Sequence, residues 1–267
     1  MSDILFIPDI HCKPEMIDLA DKVSKYDDIS IKHIIFMGDY VDDWDKTYHE
    51  NLMILNKIIK YKKDNYDKVT LLLGNHELSY LGFPCSGHQK SYETEMILRE
   101  NIHLFDLAVA RGGALISHAG FTSNWLHEIE GHYRKTMSTY LIEDLNNGLH
   151  NFDRELLEYL SAASYTSGGA GDCASILWSR PRDHITYPIN YKQVVGHTPI
   201  RDYIVDGKKN TVGINNLSDN MYYIDTFSTY SNGEPIGNQD LLILAEEQGI
   251  FFYRNKYNDY KEIEYNG

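Results

Sequence analysis

Three short apolar runs near the start of the chain each end abruptly in polar residues. Ile4-Leu-Phe-Ile-Pro stops at Asp9 and His11, and Ile34-Ile-Phe-Met-Gly stops at Asp39 and Asp42. Val69-Thr-Leu-Leu-Leu-Gly stops at Asn75, His76 and Glu77. Continuous apolar runs of this kind fit strands buried on both faces, which predicts strands over 4–8, 32–37 and 69–73. Between them the period changes to that of a helix. Pro14 to Lys25 places Met16, Leu19, Ala20 and Val23 on one face, with Pro14 near its start. Tyr48 to Lys63 carries a stripe of Leu52, Leu55, Ile58 and Ile59, and a further helix is predicted around Ser91 to Asn101. The loop from Leu81 to Lys90 is rich in Gly, Pro and Ser. Strand-helix alternation predicts a parallel sheet and an α/β class.

The second half reads differently. Leu107 to Gly120 gives two strands joined at Gly112-Gly113 and ending at His118. A segment at about 122–163 is mostly helical, and Tyr165 to Asp172 is a Gly/Ser-rich loop. Short strands follow around 192–196, 203–206, 221–225, 240–245 and 250–254, so the last third is expected to be antiparallel β. There is no repeat, low-complexity tract or inter-domain linker. A single domain over 1–267 with a helical insert at about 122–163 is therefore expected.

Composition narrows the partners. The formal net charge of -14 disfavours non-specific binding to nucleic acid or to an anionic membrane surface. Cys12, Cys85 and Cys173 are odd in number and scattered. No disulfide framework is expected, in keeping with a cytoplasmic setting. The N-terminus enters a strand without a basic n-region, and no apolar run approaches the ~20 residues of a membrane span.

The chemistry lies where the buried strands end. Asp9, His11, Asp39, Asn75, His76 and His118 are joined by His197, which follows another apolar run in Gln193-Val-Val-Gly-His-Thr-Pro199. Each motif alone suits a capped turn or a packed histidine. Five in series, each after an apolar run, point to one shared site at the carboxyl edge of a sheet. Mixed Asp/His/Asn donors suit divalent Mn, Fe or Zn, and there are too many for one tetrahedral ion. Two such ions need a bridging carboxylate, which a strand-end Asp can supply. Such a pair lowers the pKa of a bridging water and clamps a phosphoryl group for in-line attack.

In order, Asp9-Ile-His11, Gly38-Asp39-x-x-Asp42, Gly74-Asn75-His76-Glu77, His118-Ala-Gly120 and Gly196-His197-Thr198 resemble the calcineurin-like metallophosphoesterase superfamily. Gly-Asp-Tyr-Val-Asp and Leu-Gly-Asn-His-Glu are most similar to its protein Ser/Thr phosphatase and diadenosine tetraphosphatase branch. Ile176-Leu-Trp-Ser179 also resembles a segment of that branch. The resemblance implies two mixed β-sheets packed as a sandwich flanked by helices, a four-layer α/β/β/α fold. It implies two divalent ions, with manganese expected and iron or zinc as alternatives. Asp9 and His11 would hold the first ion with His197 or a neighbour, and Asp39 would bridge. Asn75, His118 and His197 would hold the second, and Asn75 would also face substrate. His76 would be the general acid, oriented by Asp42.

Two positions depart from that branch, which has arginine where this chain has Asp43 and Leu73. Arg180 and Arg182, in Trp178-Ser-Arg-Pro-Arg-Asp183, are the candidates to bind phosphate instead. The expected activity is metal-dependent hydrolysis of phosphomonoesters, with phosphoserine/phosphothreonine protein as the first expectation. A nucleotide hydrolase such as a dinucleoside tetraphosphatase is the rival enzyme, with the helical segment closing over the nucleotide. A catalytically silent, metal-stabilised binding module is the alternative of another class.

Overall fold

The structure, a computed structural model, describes residues 3–25, 30–85, 87–89, 91–133, 138–205, 208–209, 220–245, 249–254 and 260–262. Chain order begins with β1 (Asp3–Ile7), α1 (Glu15–Val23), β2 (Ile31–Phe36), α2 (Tyr48–Asp64) and β3 (Val69–Leu72). The helices α3 (Asn75–Ser79) and α4 (Tyr92–Glu100) lead to β4 (Phe105–Asp106), β5 (Ala108–Arg111) and β6 (Ala114–Ser117). Then come α5 (Ser123–Tyr133), α6 (Thr139–His150), α7 (Arg154–Leu160) and α8 (Pro181–Thr186). The chain continues through β7 (Lys192–Pro199), β8 (Ile204–Val205), β9 (Lys208–Lys209), β10 (Met221–Asp225), β11 (Leu241–Ala245), β12 (Ile250–Arg254) and β13 (Tyr260–Glu262).

Two mixed sheets result. One has the order β13-β12-β11-β1-β2-β3-β4 and the other β10-β7-β6-β5. Alternation along each strand explains the sandwich. In β1, Leu5 and Ile7 face the larger core with Met16, Ala20, Leu55 and Ile58 of the covering helices. Ile4 and Phe6 face the other way and pack with Ile116, Val194 and Tyr222 of the second sheet. Leu241 and Ile243 against Leu242 and Leu244 repeat the division in β11. Buried on both faces, the central strands cannot alternate in polarity, which is why they read as unbroken apolar runs.

Strands β1 to β4 are parallel, as their alternation with helices predicts. The last third is not uniformly antiparallel. β7 runs parallel to both β6 and β10, whereas β11 pairs antiparallel with β1 and β12. The connections into β7 and β10 are long enough for parallel crossovers, and a hairpin turn is not required. The predicted strand at 203–206 corresponds to β8, and residue 206 lies outside the described residues.

The helices over 122–163 do not stand apart. Trp125, Ile129, Leu141, Leu145, Leu156 and Leu160 belong to the same apolar core as Leu5 and Ile7. Asn146 fastens α6 to the strand edge, because its Oδ1 accepts from Leu107 N–H at 2.8 Å and its amide donates to the Ala108 carbonyl at 3.0 Å. No helix among the described residues is long and apolar enough to cross a membrane.

Candidate metal centre

The carboxyl ends of β1, β2, β3 and β6 and the bulged end of β7 meet in one place. Glycine makes the approach possible. A Cβ at Gly74 would lie 2.1 Å from Asp39 Oδ1, and one at Gly196 would lie 2.2 Å from Asp9 Oδ1. Either side chain would displace a carboxylate. The polar residues themselves take left-handed backbone: His11 (φ 42°), Cys12 (58°), Asp39 (48°), Asp42 (60°) and His197 (58°). Such conformations cost on the order of 1 kcal/mol or more each outside glycine. They persist because the surrounding hydrogen bonds over-determine them.

Asp39 is the hub. Its Oδ1 accepts from His76 N–H at 3.0 Å. Its Oδ2 faces two imidazoles, 3.4 Å from His118 Nε2 and 3.7 Å from His11 Nε2. Donor atoms of His11, Asp39 and His76 lie within 4.8 Å of one another, as do those of Asp39, His118 and His197. Asp39 is common to both groups. Asn75 Oδ1 adds a further donor, 3.0 Å from His118 Nε2, and His197 Nδ1 lies 3.2 Å from that same nitrogen. Donors each about 2.1 Å from one ion stand about 3.0–3.4 Å apart, so this spacing fits a shared cation.

The histidine tautomers fit as well. His118 Nδ1–H donates to the Met37 carbonyl at 2.8 Å, and His11 Nδ1–H donates to the Asp42 carbonyl at 2.7 Å. Both Nε2 atoms are thereby turned toward Asp39, where each would present its lone pair to a metal once deprotonated, the usual arrangement of a ligating imidazole. Among the described residues His197 Nε2 finds no hydrogen-bond partner, and it is a buried polar atom beside the cluster. These residues can hold divalent cations.

Asp9 sits at the margin of the two groups. Both of its carboxylate oxygens take His197 N–H, at 2.9 and 3.2 Å. Burial and then the neighbouring Asp225 carboxylate hold the Asp9 pKa well above the usual range. His76 Nδ1 lies 3.2 Å from Asp42 Oδ2, and Asp42 Oδ1 accepts from Asn51 Nδ2 at 2.8 Å. Burial would push the His76 imidazolium toward deprotonation. Asp39 and the Asp42 hydrogen bond outweigh it, and its pKa ends well above 6.5.

Arg180 reaches the cluster and Arg182 does not. Arg180 is largely buried and donates from Nη1 to the His197 carbonyl at 2.7 Å. Asp183 fixes the turn beneath it, accepting from Arg180 N–H at 2.8 Å and from the Ser164 and Thr166 hydroxyls at 2.8 and 2.6 Å. The Gly/Ser-rich loop is thus tied to the start of α8. Arg182 is exposed on α8. Leu73 is fully buried in the apolar core. Asp43 is not a bare charge, because Lys13 Nζ lies 3.7 Å from its Oδ2.

Glu77 stands in a motif, yet no role for it followed from the sequence. Its buried carboxylate accepts from Asp39, Tyr40, Val41 and Gly74 N–H at 2.9, 2.8, 3.2 and 3.0 Å. It therefore ties the turn after β2 to the turn after β3. Its spacing three residues after Gly74 is the signal of a carboxylate returning to a helix N-terminus. Asn51 was missed too, although it falls on the apolar stripe of α2 four residues before Leu55. A Glu77→Gln variant would turn an amide N–H₂ toward backbone donors. It should lose about 3 kcal/mol or more in denaturant unfolding at fixed metal concentration, because two or more buried N–H groups lose their acceptor.

The His118 imidazole predicts a pH dependence. Burial opposes its charge, but Asp39 and Asp9 hold its pKa up to about 9. Below that value it carries a proton that a cation must displace. Metal affinity should therefore rise with pH to about 9, by up to tenfold per unit for one proton. Calorimetric titrations in buffers of different ionisation enthalpy would show proton release at pH 7 and less of it above pH 9.

Residues 2–223 match the family model described as calcineurin-like phosphoesterase. The chain belongs to this family and is a metallophosphoesterase, a hydrolase acting on phosphoric ester bonds that uses divalent metal ions. Among solved structures, the cold-active protein-tyrosine phosphatase of the psychrophile Shewanella sp. is 17% identical with a TM-score of 0.59, over 98% of this chain and 80% of that one. A mutant of a cold-active protein tyrosine phosphatase gives 17% identity and a TM-score of 0.61 over the same shares. These likenesses establish the fold as two mixed sheets with flanking helices. The comparison with curated proteins gives no match.

Proposed function

We propose that this chain is a single-domain, dinuclear metallophosphoesterase that hydrolyses phosphomonoesters on phosphoserine/phosphothreonine protein. One observation carries the two-metal reading: the Asp39 carboxylate belongs to both donor groups. In this reading His11 and Asp9 serve the first ion. Asn75, His118 and His197 serve the second, and Asp39 serves both. Manganese fits the mixed oxygen and nitrogen donors, and iron or zinc suit them also. Bound there, the cations supply Lewis acidity toward water and the phosphoryl oxygens. His76, its Nδ1 held by Asp42, carries on Nε2 the proton that the leaving oxygen needs. The free thiols of Cys12, Cys85 and Cys173 suit a reducing compartment such as the cytoplasm.

Arg180 is the phosphate-binding cation in this reading. One guanidinium nitrogen holds the His197 carbonyl, and the rest of the fork can bind phosphoryl oxygens. Arg180→Ala should raise KM for phosphate esters roughly tenfold, the worth of one charge-assisted contact. An unchanged KM would leave phosphate binding to the cations alone.

A nucleotide-hydrolase reading has one observation in its favour. The positions of Asp43 and Leu73 supply no cation, since Leu73 lies in the core and Asp43 is itself anionic. A substrate panel in Mn²⁺ decides between them: phosphoseryl, phosphothreonyl and phosphotyrosyl peptides, a phosphodiester and dinucleoside polyphosphates. The phosphotyrosyl peptide is included because the solved structures of similar fold are named as tyrosine phosphatases. Higher kcat/KM on a dinucleoside polyphosphate than on every phosphopeptide would overturn the phosphoprotein reading.

A further inference from the structure

By composition, the segment bearing Cys85, Gly87, His88 and Gln89 is a plain connection between α3 and α4. The fold lays it over the His76–Asp42 pair. Gln89 N–H donates to Asp42 Oδ1 at 3.1 Å. The Tyr80 hydroxyl lies 2.9 Å from that same oxygen and 2.7 Å from the Gln89 carbonyl, with its single hydrogen for one of the two. A Cβ added at Gly87 would lie 3.9 Å from His76 Cε1. His88 makes the most informative contacts. Its Nδ1 lies 2.7 Å from Ser79 Oγ and 3.8 Å from Asp42 Oδ2, and its ring meets Tyr80 edge-on at 4.3 Å.

Counting hydrogens fixes the direction of these bonds. Ser79 Oγ has one hydrogen, and it goes to the His76 carbonyl. The Ser79 oxygen must then accept from His88, so His88 carries its hydrogen on Nδ1. That N–H also faces Asp42 Oδ2, the oxygen that accepts from His76 Nδ1 at 3.2 Å. Two imidazoles thus address one carboxylate oxygen, while Asp42 Oδ1 already accepts from Asn51 Nδ2 and Gln89 N–H, with the Tyr80 hydroxyl beside it. His88 is linked to His76 twice, through Asp42 to its ring and through Ser79 to its backbone.

We propose that His88 is a positioning residue for the general acid. Acting through Asp42 and Ser79, it keeps the His76 Nδ1–H on Asp42 and the ring in one orientation, so that the proton given up is the one on Nε2. The proposal rests on the reading of His76 as the acid. It gives His88 a part in proton transfer and none in metal binding. Without His88, the Oδ2 side of Asp42 loses a neighbouring N–H and opens to water, and the imidazole gains freedom to flip.

The test compares phenyl phosphate, whose leaving oxygen needs a proton, with p-nitrophenyl phosphate, whose leaving group is stable as an anion. In saturating Mn²⁺, His88→Ala should lower kcat on phenyl phosphate about tenfold, and less than about twofold on the nitrophenyl ester. KM and metal content should hold. His88→Asn, with an amide N–H at the Nδ1 position, should recover most of the loss. Added to His76→Asn, the His88→Ala change should cost nothing further. Long-range ¹H–¹⁵N spectra, taken at a pH basic enough to remove the His76 Nε2 proton, should show Nδ1–H on both His76 and His88 in the parent protein, and a mixed His76 tautomer in His88→Ala. Equal losses on both esters, or additive losses in the His76→Asn background, would overturn the proposal. So would an Nε2–H tautomer on His88 in the parent, a result that needs no variant to fold. If His76→Asn itself showed no leaving-group dependence, the acid assignment would fail and this proposal with it; a dependence in His76→Asn but not in His88→Ala would fail the proposal alone.

Discussion

Replacing Asp39 by Ala should abolish metal-dependent hydrolysis, with kcat falling by about 10³ or more. The size follows from what one carboxylate does here. Its Oδ2 lies 3.4 Å from His118 Nε2 and 3.7 Å from His11 Nε2, so removing it strips an anionic donor from both groups at once. Lewis-acid stabilisation worth several kcal/mol corresponds to about three powers of ten in rate. Asp39→Asn separates charge from shape. An amide oxygen can still accept the His76 N–H that Asp39 Oδ1 takes at 3.0 Å. The negative charge is gone, and with it the main support for the raised His118 pKa of about 9. The Asn variant should therefore bind less metal and release fewer protons on binding. Metal per chain, counted after gel filtration, checks this directly. Undiminished metal content in Asp39→Ala would remove the bridge from the site.

His76→Asn should keep its metal and lose turnover, by about 10²–10⁴ on esters with poor leaving groups. The loss should shrink on p-nitrophenyl phosphate. The geometry separates the two roles, because His76 Nδ1 is engaged by Asp42 at 3.2 Å and the ring has only Nε2 left to give. The pH profile provides a second check. Asp39 and Asp42 outweigh burial and hold the His76 pKa well above 6.5, so the imidazole starts protonated at neutral pH. The parent rate should fall on the basic side as that proton is lost, and His76→Asn should lack that limb. His76 also stands within 4.8 Å of His11 and Asp39 donor atoms. Loss of one metal from the variant would make it a ligand, and the acid role would pass elsewhere.

Much of this arrangement was legible because burial writes a simple code. Ile4 to Ile7 and Val69 to Leu72 are covered on both faces by other layers, so they read as apolar runs whatever their neighbours. Where each run leaves the sheet it meets polar residues at once, and the glycines mark close approach. Asp39, Asn75, His118 and His197 could be named together for that reason. Strand direction in the last third was not legible. β7 and β10 are as apolar as β11, and the pairing partner that makes them parallel lies far away in sequence.

The sequence by itself determined the α/β class and the strand-end polar residues that the fold brings together at one sheet edge. Those depend on local polarity and on the short reach between a strand and the residue that ends it. Only the tertiary structure decided that Arg180 points into the cluster while Arg182 faces outward. Two residues apart at the start of a helix, they lie on different sides, and no local pattern says which side meets the metals. It also decided that Asp43 is paired with Lys13, that Glu77 clamps two turns, and that His88 reaches Asp42. Each is a contact between segments that meet only because two buried sheets close against each other.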